Sequence, residues 1–232
     1  MITSAANPRL KLVRKLAARR QREKLGLFVC EGEDLVEAGL AAGLEPVDVL
    51  VAGEDVEPEL LAGVSTLAHP PRQVAIFGRG DLPVLDPAAA PETGLALWHV
   101  GDPGNVGTII RAADGLGPAF VALSEGCADP TGPKALRASM GAVFRVPLGR
   151  FEEAPGRLIA LVAHGGEPLH ELDLSGPVTF VLGAEREGVP ESVAASCDAR
   201  GSIGLEPGAE SLNVALAAAL ALYERRRSRG PG

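Results

Sequence analysis

Asn105 and Arg111 stand six residues apart in the segment Gly101-Asp102-Pro103-Gly104-Asn105-Val106-Gly107-Thr108-Ile109-Ile110-Arg111-Ala112-Ala113-Asp114. The segment follows an apolar run, residues 95–100, and continues into the spacing Ile109, Ile110, Ala113, Leu116, so it reads as strand, glycine loop and helix. Such a junction turns unpaired backbone N–H groups and the positive end of a helix dipole toward an open crevice, a setting for an anion. The Asn105 amide can donate and accept there, or simply cap the helix. A guanidinium such as that of Arg111 suits binding a phosphate and polarising a hydroxyl; it holds its proton too tightly to be a good general base.

Other chemistries find less support. The glycines at 101, 104 and 107 do not make G-x-G-x-x-G, and Gly104 is not followed by Gly-Lys-Ser/Thr, so neither the dinucleotide fingerprint nor a Walker loop is present. A dinucleotide-binding Rossmann enzyme is carried as an alternative because of the superficial likeness. His69, His99, His164 and His170 lack metal-ligand spacing, and no metal is expected. Cys30, Cys127 and Cys197 are odd in number with no C-x-x-C pair, which fits the reduced cytoplasm better than a disulfide framework.

The elements that position these residues follow from patterning. Asn7-Pro8 is a helix start, after which Leu10, Val13, Leu16 and Ala17 form an apolar stripe while Lys11, Lys15, Arg19 and Arg22 line another face. That basic face binds a polyanion or is simply solvated. Strands at 28–31, 47–52 and 73–77 with helices at 33–42 and 57–61 make a small α/β unit over residues 1–78. Residues 79–94, with Pro83, Pro87 and Pro91, read as a linker. Residues 95–232 alternate again, with strands at 95–100, 119–124, 143–147, 158–163, 178–182 and 199–203. Near-continuous apolar strands separated by helices imply a mostly parallel sheet covered on both faces.

Charge is unevenly spread. The net charge is −8, yet the first 30 residues hold eight basic side chains against Glu23 alone, a net of +7 that leaves −15 on the rest. A local patch sets the footprint for a polyanion, so the acidic total does not exclude nucleic acid. Arg225, Arg226, Arg227 and Arg229 form a second basic end. The longest apolar stretch, residues 212–222, is too short to span a bilayer, and no membrane role is expected.

Three segments together resemble the motifs of the SpoU (TrmH-like) RNA 2'-O-ribose methyltransferases of the SPOUT superfamily. They are the opening segment, Val181-Leu182-Gly183-Ala184-Glu185-Arg186-Glu187-Gly188-Val189-Pro190, and Ser211-Leu212-Asn213-Val214-Ala215-Leu216-Ala217 with Glu224 beyond it. The likeness extends through Cys127-Ala128-Asp129-Pro130 to Lys134, Arg137, Ser139 and Gly141. At the amino end, Asn7-Pro8, Lys11, Arg22, Phe28 and Glu31-Gly32 resemble the family's substrate-binding domain, related to the ribosomal L30e fold. The chain departs at Ile203-Gly204-Leu205, where relatives commonly carry Ile-Pro-Met, a change that bears on the stiffness of that loop.

The resemblance implies an α/β fold with a deep trefoil knot at the carboxyl end, S-adenosylmethionine as methyl donor, and a homodimer. Periodicity alone points to an ordinary doubly wound sheet, since knots are essentially absent from proteins. The resemblance also implies a catalytic set of Arg111, Asn105, Glu185, Ser211 and Asn213, with Glu185 anchoring loops through Ser211 and Asn213. Gly183, Ile203, Leu205 and Leu212 would hold the cofactor, Gly183 by allowing close backbone approach. Ser211 reads equally as the cap of the Ala-rich helix, with Asn213 inside it. Structured RNA is the implied partner, ribosomal RNA ahead of transfer RNA, contacted by Arg9, Lys11, Lys15, Arg19, Arg22, Lys134 and Arg137. A non-catalytic RNA-binding relative is the remaining alternative, and the presence of all five catalytic-set residues argues against it.

Overall fold

The computed structural model describes residues 1–206 and 208–230. Asn7 caps α1 (Pro8–Leu16) by accepting from the Arg9 N–H, and Pro8 sits in the first turn, where a missing donor costs nothing. Ala18 is extended, and α2 (Arg19–Leu25) starts afresh before ending at Gly26 in the left-handed conformation. The continuous basic face expected over Lys11, Lys15, Arg19 and Arg22 is therefore divided. Arg22 turns inward, where its Nη1 donates to the carbonyls of Leu16 and Ala17 at the end of α1.

Next come β1 (Leu27–Glu31), α3 (Glu33–Ala41), β2 (Asp48–Val51), α4 (Pro58–Ala62) and β3 (Gln73–Gly78). The three strands form an antiparallel sheet in the order β1-β3-β2. Alternation along the strands feeds two cores. Val29, Val74 and Ile76 pack with Leu10, Val13 and Leu16 of α1. Phe28, Cys30, Ala75 and Phe77 face the other way, into the core of the carboxyl-terminal unit, where the rings of Phe28 and Phe77 lie 6.3 and 6.0 Å from Phe144.

The second unit comprises β4 (Thr93–Leu97), α5 (Pro103–Leu116), β5 (Phe120–Leu123), α6 (Pro133–Ser139), β6 (Leu148–Arg150), β7 (Arg157–Leu161), β8 (Glu167–Pro168), β9 (Val178–Leu182), α7 (Glu191–Ala194), β10 (Ala199–Ser202) and α8 (Val214–Ser228). Its seven strands run in the order β6-β5-β4-β9-β7-β10-β8, every neighbouring pair parallel. The mostly parallel α/β sheet expected from patterning is thus present. Two expectations fail locally. The strand expected at 143–147 is a 3-10 turn, Ala142–Phe144, followed by β6, because its apolar residues serve the core shared with β1 and β3. The stretch read as a linker also has structure: Leu82 and Leu85 are buried, the Leu85 N–H donates to Leu148 and the Leu148 N–H donates to Pro83. Thr93 and Gly94 already belong to β4.

From β4 the chain runs outward through β5 to β6, then returns to build β7 on the other side, leaving a place that β9 later fills. The carboxyl ends of β4 and β9, where Leu97 and Leu182 are register partners, therefore meet at a change of direction in strand order. Crevices at such points are where open parallel sheets hold ligands. Helix α5 packs between α6 and α8. Its crossing with α6 needs Gly107, since a Cβ there would lie 2.3 Å from the Ala135 carbonyl oxygen.

Candidate active site

The loops leaving β4 and β9 bring Asn105 and Glu185 together. Asp102, not Asn105, caps α5: its Oδ1 accepts from the Asn105 N–H at 3.0 Å. The Asn105 side chain is released for other partners. Its Nδ2 donates to Glu185 Oε1 at 2.9 Å, and its Oδ1 accepts from Asn213 Nδ2 at 3.1 Å. Asn213, expected inside the last helix, is instead the N-cap of α8, with Oδ1 accepting from the N–H groups of Ala215 and Leu216. Ser211 lies upstream, exposed, and its hydroxyl makes no hydrogen bond among the described residues.

Donation thus runs one way, from the α8 amino end through Asn213 and Asn105 to the Glu185 carboxylate. A helix dipole stands at one end of the chain and a negative charge at the other, an arrangement that polarises each bond in the same sense. Glu185 also accepts from the Asp102 N–H at 3.2 Å. Burial raises the Glu185 carboxyl, but the Asn105 amide and the N–H groups of Glu185, Asp102 and Gly101 outweigh it and hold the group below its ordinary value. The Lys134 ammonium, 2.7 Å from Asp102, together with the Asn105 N–H, likewise pulls the Asp102 carboxyl down.

Arg111 stands apart from this network. Six residues along a helix rotate a side chain about 120° away from its starting face, and Arg111 is exposed with no ion pair or hydrogen bond among the described residues. Of the two residues through which Glu185 is expected to anchor the loops, Ser211 makes no hydrogen bond with it among the described residues. Glu185 reaches Asn213 only through Asn105.

Beside the network lies a cavity of about 410 Å³ at the carboxyl ends of β7, β9 and β10. Gly183, Ile203, Leu205 and Leu212, the four candidates for cofactor contact, all line it, as do Glu185 and Ser211. Sequence reasoning missed Leu161, Val162 and Ala163 on its wall; their signal was the downstream end of an apolar strand, the edge at which parallel sheets bind ligands. Gly183 has a reason of its own. A Cβ there would fall 1.9 Å from the backbone of Gly188, which folds back over it and donates its N–H to the Ala184 carbonyl. The close approach that requires a glycine is made by the chain itself.

The basic candidates divide by what they already hold. Lys11 and Lys15 are exposed, with no ion pair among the described residues. Arg9 is bound to Asp48 and to the Val49 carbonyl, Arg19 to Glu23 and the Cys127 carbonyl, and Arg137 to Thr66. Arg22 is 4% exposed and ion-paired with Asp129, so the expectation that it touches RNA is overturned. A buried guanidinium needs its carboxylate, and this pair joins α2 to the second unit.

Comparison with known proteins follows the same division. Residues 92–223 match the SpoU rRNA Methylase family and residues 7–75 the MRM3-like substrate binding domain. The 23S rRNA (guanosine(2553)-2'-O)-methyltransferase RlmP of Bacillus subtilis is 33% identical over 248 residues, covering 97% of this chain and 98% of that protein. An AdoMet-bound rRNA methyltransferase from Sinorhizobium meliloti superposes with a TM-score of 0.87 at 30% identity, covering 98% of this chain and 97% of that one. The SpoU methyltransferase AviRb from Streptomyces viridochromogenes, in complex with AdoMet, gives 0.85 at 25% identity, covering 97% and 99%. With its three motifs converging at one edge of the parallel sheet and the family match running from the start of β4 into α8, the chain belongs to the SpoU rRNA methylase family.

Proposed function

We propose that the protein transfers a methyl group from S-adenosylmethionine to a ribose 2'-hydroxyl of ribosomal RNA. One observation carries this reading: the Glu185–Asn105–Asn213 network shares the residue Glu185 with the wall of the apolar cavity beside it. The residues fit that cofactor. Ile203, Leu205 and Leu212 offer an apolar slot for the adenine, and the volume lies within the roughly 300–1,000 Å³ of small-molecule sites. When bound, the cofactor supplies a strongly electrophilic sulfonium methyl.

The chain's own task is then orientation. An amide has two N–H donors and two acceptor lone pairs; Asn105 uses one donor on Glu185 and one lone pair on Asn213. One N–H and one lone pair are left to fix a ribose hydroxyl. The ionised Glu185 holds the amide in this sense, since a flipped amide would set oxygen against carboxylate. Arg111 takes the phosphate beside the ribose and steers the hydroxyl, whose proton is lost to bulk solvent as the methyl group arrives and not to the guanidinium. Rate comes from positioning and from excluding water.

Ribosomal RNA is preferred to transfer RNA because the relative named above, aligned over nearly its whole length, is a 23S rRNA methyltransferase. The three-stranded unit serves as the RNA-delivery domain of L30e type, with Lys11 and Lys15 among its exposed cations that make no ion pair within the described residues. On α8, Leu216, Leu220 and Tyr223 are exposed on one face, which supports a homodimer through that helix. The late insertion of β9 between β4 and β7 supports a trefoil-knotted carboxyl end. No helix among the described residues is long and apolar enough to cross a membrane, and the reading assigns the protein to the cytoplasm. A 2'-O-methylation map of ribosomal and transfer RNA from cells lacking the gene should lose a ribosomal site. An unchanged map would overturn the reading in favour of an RNA-binding role.

A further inference from the structure

We propose that the cleft between the two units, centred on Trp98 and His99, is a subsite for the RNA nucleotide next to the one methylated; the proposal rests on the methyltransferase reading above. The cleft measures about 690 Å³ and opens at the carboxyl ends of β4, β5 and β6. That is the same edge of the sheet on which Asn105 and Glu185 meet, one strand over. Its walls come from both units and the segment between them: Arg19 from the amino-terminal unit, Arg79 from the turn that follows it, Trp98 and His99 from the loop after β4, and Arg150 from the end of β6.

Three features give the cleft its chemistry. The Trp98 and His99 rings are stacked, with centroids 4.7 Å apart and planes 7° from parallel, and Phe151 meets Trp98 edge-on at 5.2 Å. His99 is exposed and Trp98 half-buried, so aromatic surface is offered to the cleft on a fixed support. His99 has φ of 52°, a left-handed conformation that side chains avoid. The strain is held by the His99 N–H donating to Ser124 Oγ at 3.0 Å and the Trp98 N–H donating to the Leu182 carbonyl at 2.7 Å. Backbone held in this way, between the ends of β5 and β9, is a mark of a working site.

The third feature is charge. Arg19 and Arg79 contribute guanidinium groups already held by Glu23 and Asp129, whereas Arg150 is 73% exposed and, among the described residues, joined only to Glu153. Glu125, Asp129 and Glu152 also line the cleft, so it is no general sink for polyanions. Aromatic planes with a few guanidinium groups are instead the means by which proteins hold single-stranded RNA, stacking a base and pairing its phosphate with little regard to sequence. His99 lies in the loop that leads into α5, six residues before Asn105 in the first turn of that helix. A strand whose ribose lies at Asn105 therefore has its neighbouring nucleotide at this cleft.

Trp98 is the chain's one tryptophan, so its emission reports on the cleft in the intact protein. Titration with a short single-stranded RNA of mixed sequence should quench that emission, whereas S-adenosylmethionine alone should leave it unchanged. His99→Ala and Arg150→Ala should each raise the half-quenching concentration roughly tenfold, the loss expected for one stacked base or one phosphate contact. Both should raise KM for ribosomal RNA while kcat moves less than about twofold. If the RNA is bound and methylated but neither the emission nor the variants respond, the subsite is refuted and the methyltransferase reading stands. Quenching by adenosine monophosphate as strong as that by RNA refutes it too, in favour of a free-nucleotide site. Should the protein neither bind nor methylate RNA, both readings fall.

Discussion

Asn105 and Arg111 share a helix but not a face, and this separates their tasks. Asn105 is locked between a carboxylate and a helix cap, whereas Arg111 is held by nothing in its own chain among the described residues. A guanidinium can bridge a phosphate and a hydroxyl in one plane; an ammonium offers only a compact charge. Arg111→Lys should therefore lower single-turnover methyl transfer roughly a hundredfold while weakening RNA binding less than about fivefold. Rates near those of the unaltered protein would remove Arg111 from the chemistry. At this scale the sequence was informative about which residues matter and less about how. Ser211 reads as the cap of the last helix with Asn213 inside it, and only the extended backbone at Asn213 shows that the helix begins one residue after it.

Among the elements, strand–loop–helix at 93–116 was readable because the apolar period changes from continuous to helical across a glycine loop. The 3-10 turn Ala142–Phe144 was not, since a short buried apolar run carries no period that tells turn from strand. The loop after β9 shows how a motif glycine can answer to packing. Gly183→Ala would drive a Cβ into the Gly188 backbone, which is not a yielding neighbour. A loss of about 1–3 kcal/mol is expected, read as a fall in thermal midpoint. S-adenosylmethionine should also stabilise the variant less than the parent. A variant that melts and binds cofactor like the parent would show that the loop can move aside.

For the molecule as a whole, Arg22 and Asp129 lie 107 positions apart, which is why the amino-terminal basic pattern gave no hint that one of its members is structural. Burial raises the Asp129 carboxyl; the Thr131 hydroxyl and N–H, with Arg79 and Arg22, outweigh it and leave the group below its ordinary value. Its contribution to stability is therefore complete above about pH 3.9, the unfolded value, and is lost as pH falls through the lower folded one. Arg22→Ala leaves Asp129 with Arg79, at 3.2 Å, as its one ion-paired cation among the described residues, and should cost about 3 kcal/mol in urea unfolding at neutral pH. Asp129→Asn should flatten the acid side of the stability curve. If neither changes, the pair is an ornament of the interface.

The phenylalanine cluster and this ion pair have a consequence for how a target is chosen. Phe28 and Phe77 from one unit and Phe144 from the other share a single core, so the lysines of α1 and the Asn105 amide belong to one stiff body. Such a body works as a calliper with its jaws set. An RNA is accepted when the span between its anchoring helix and its target ribose equals the gap, and spelling along that span counts for little.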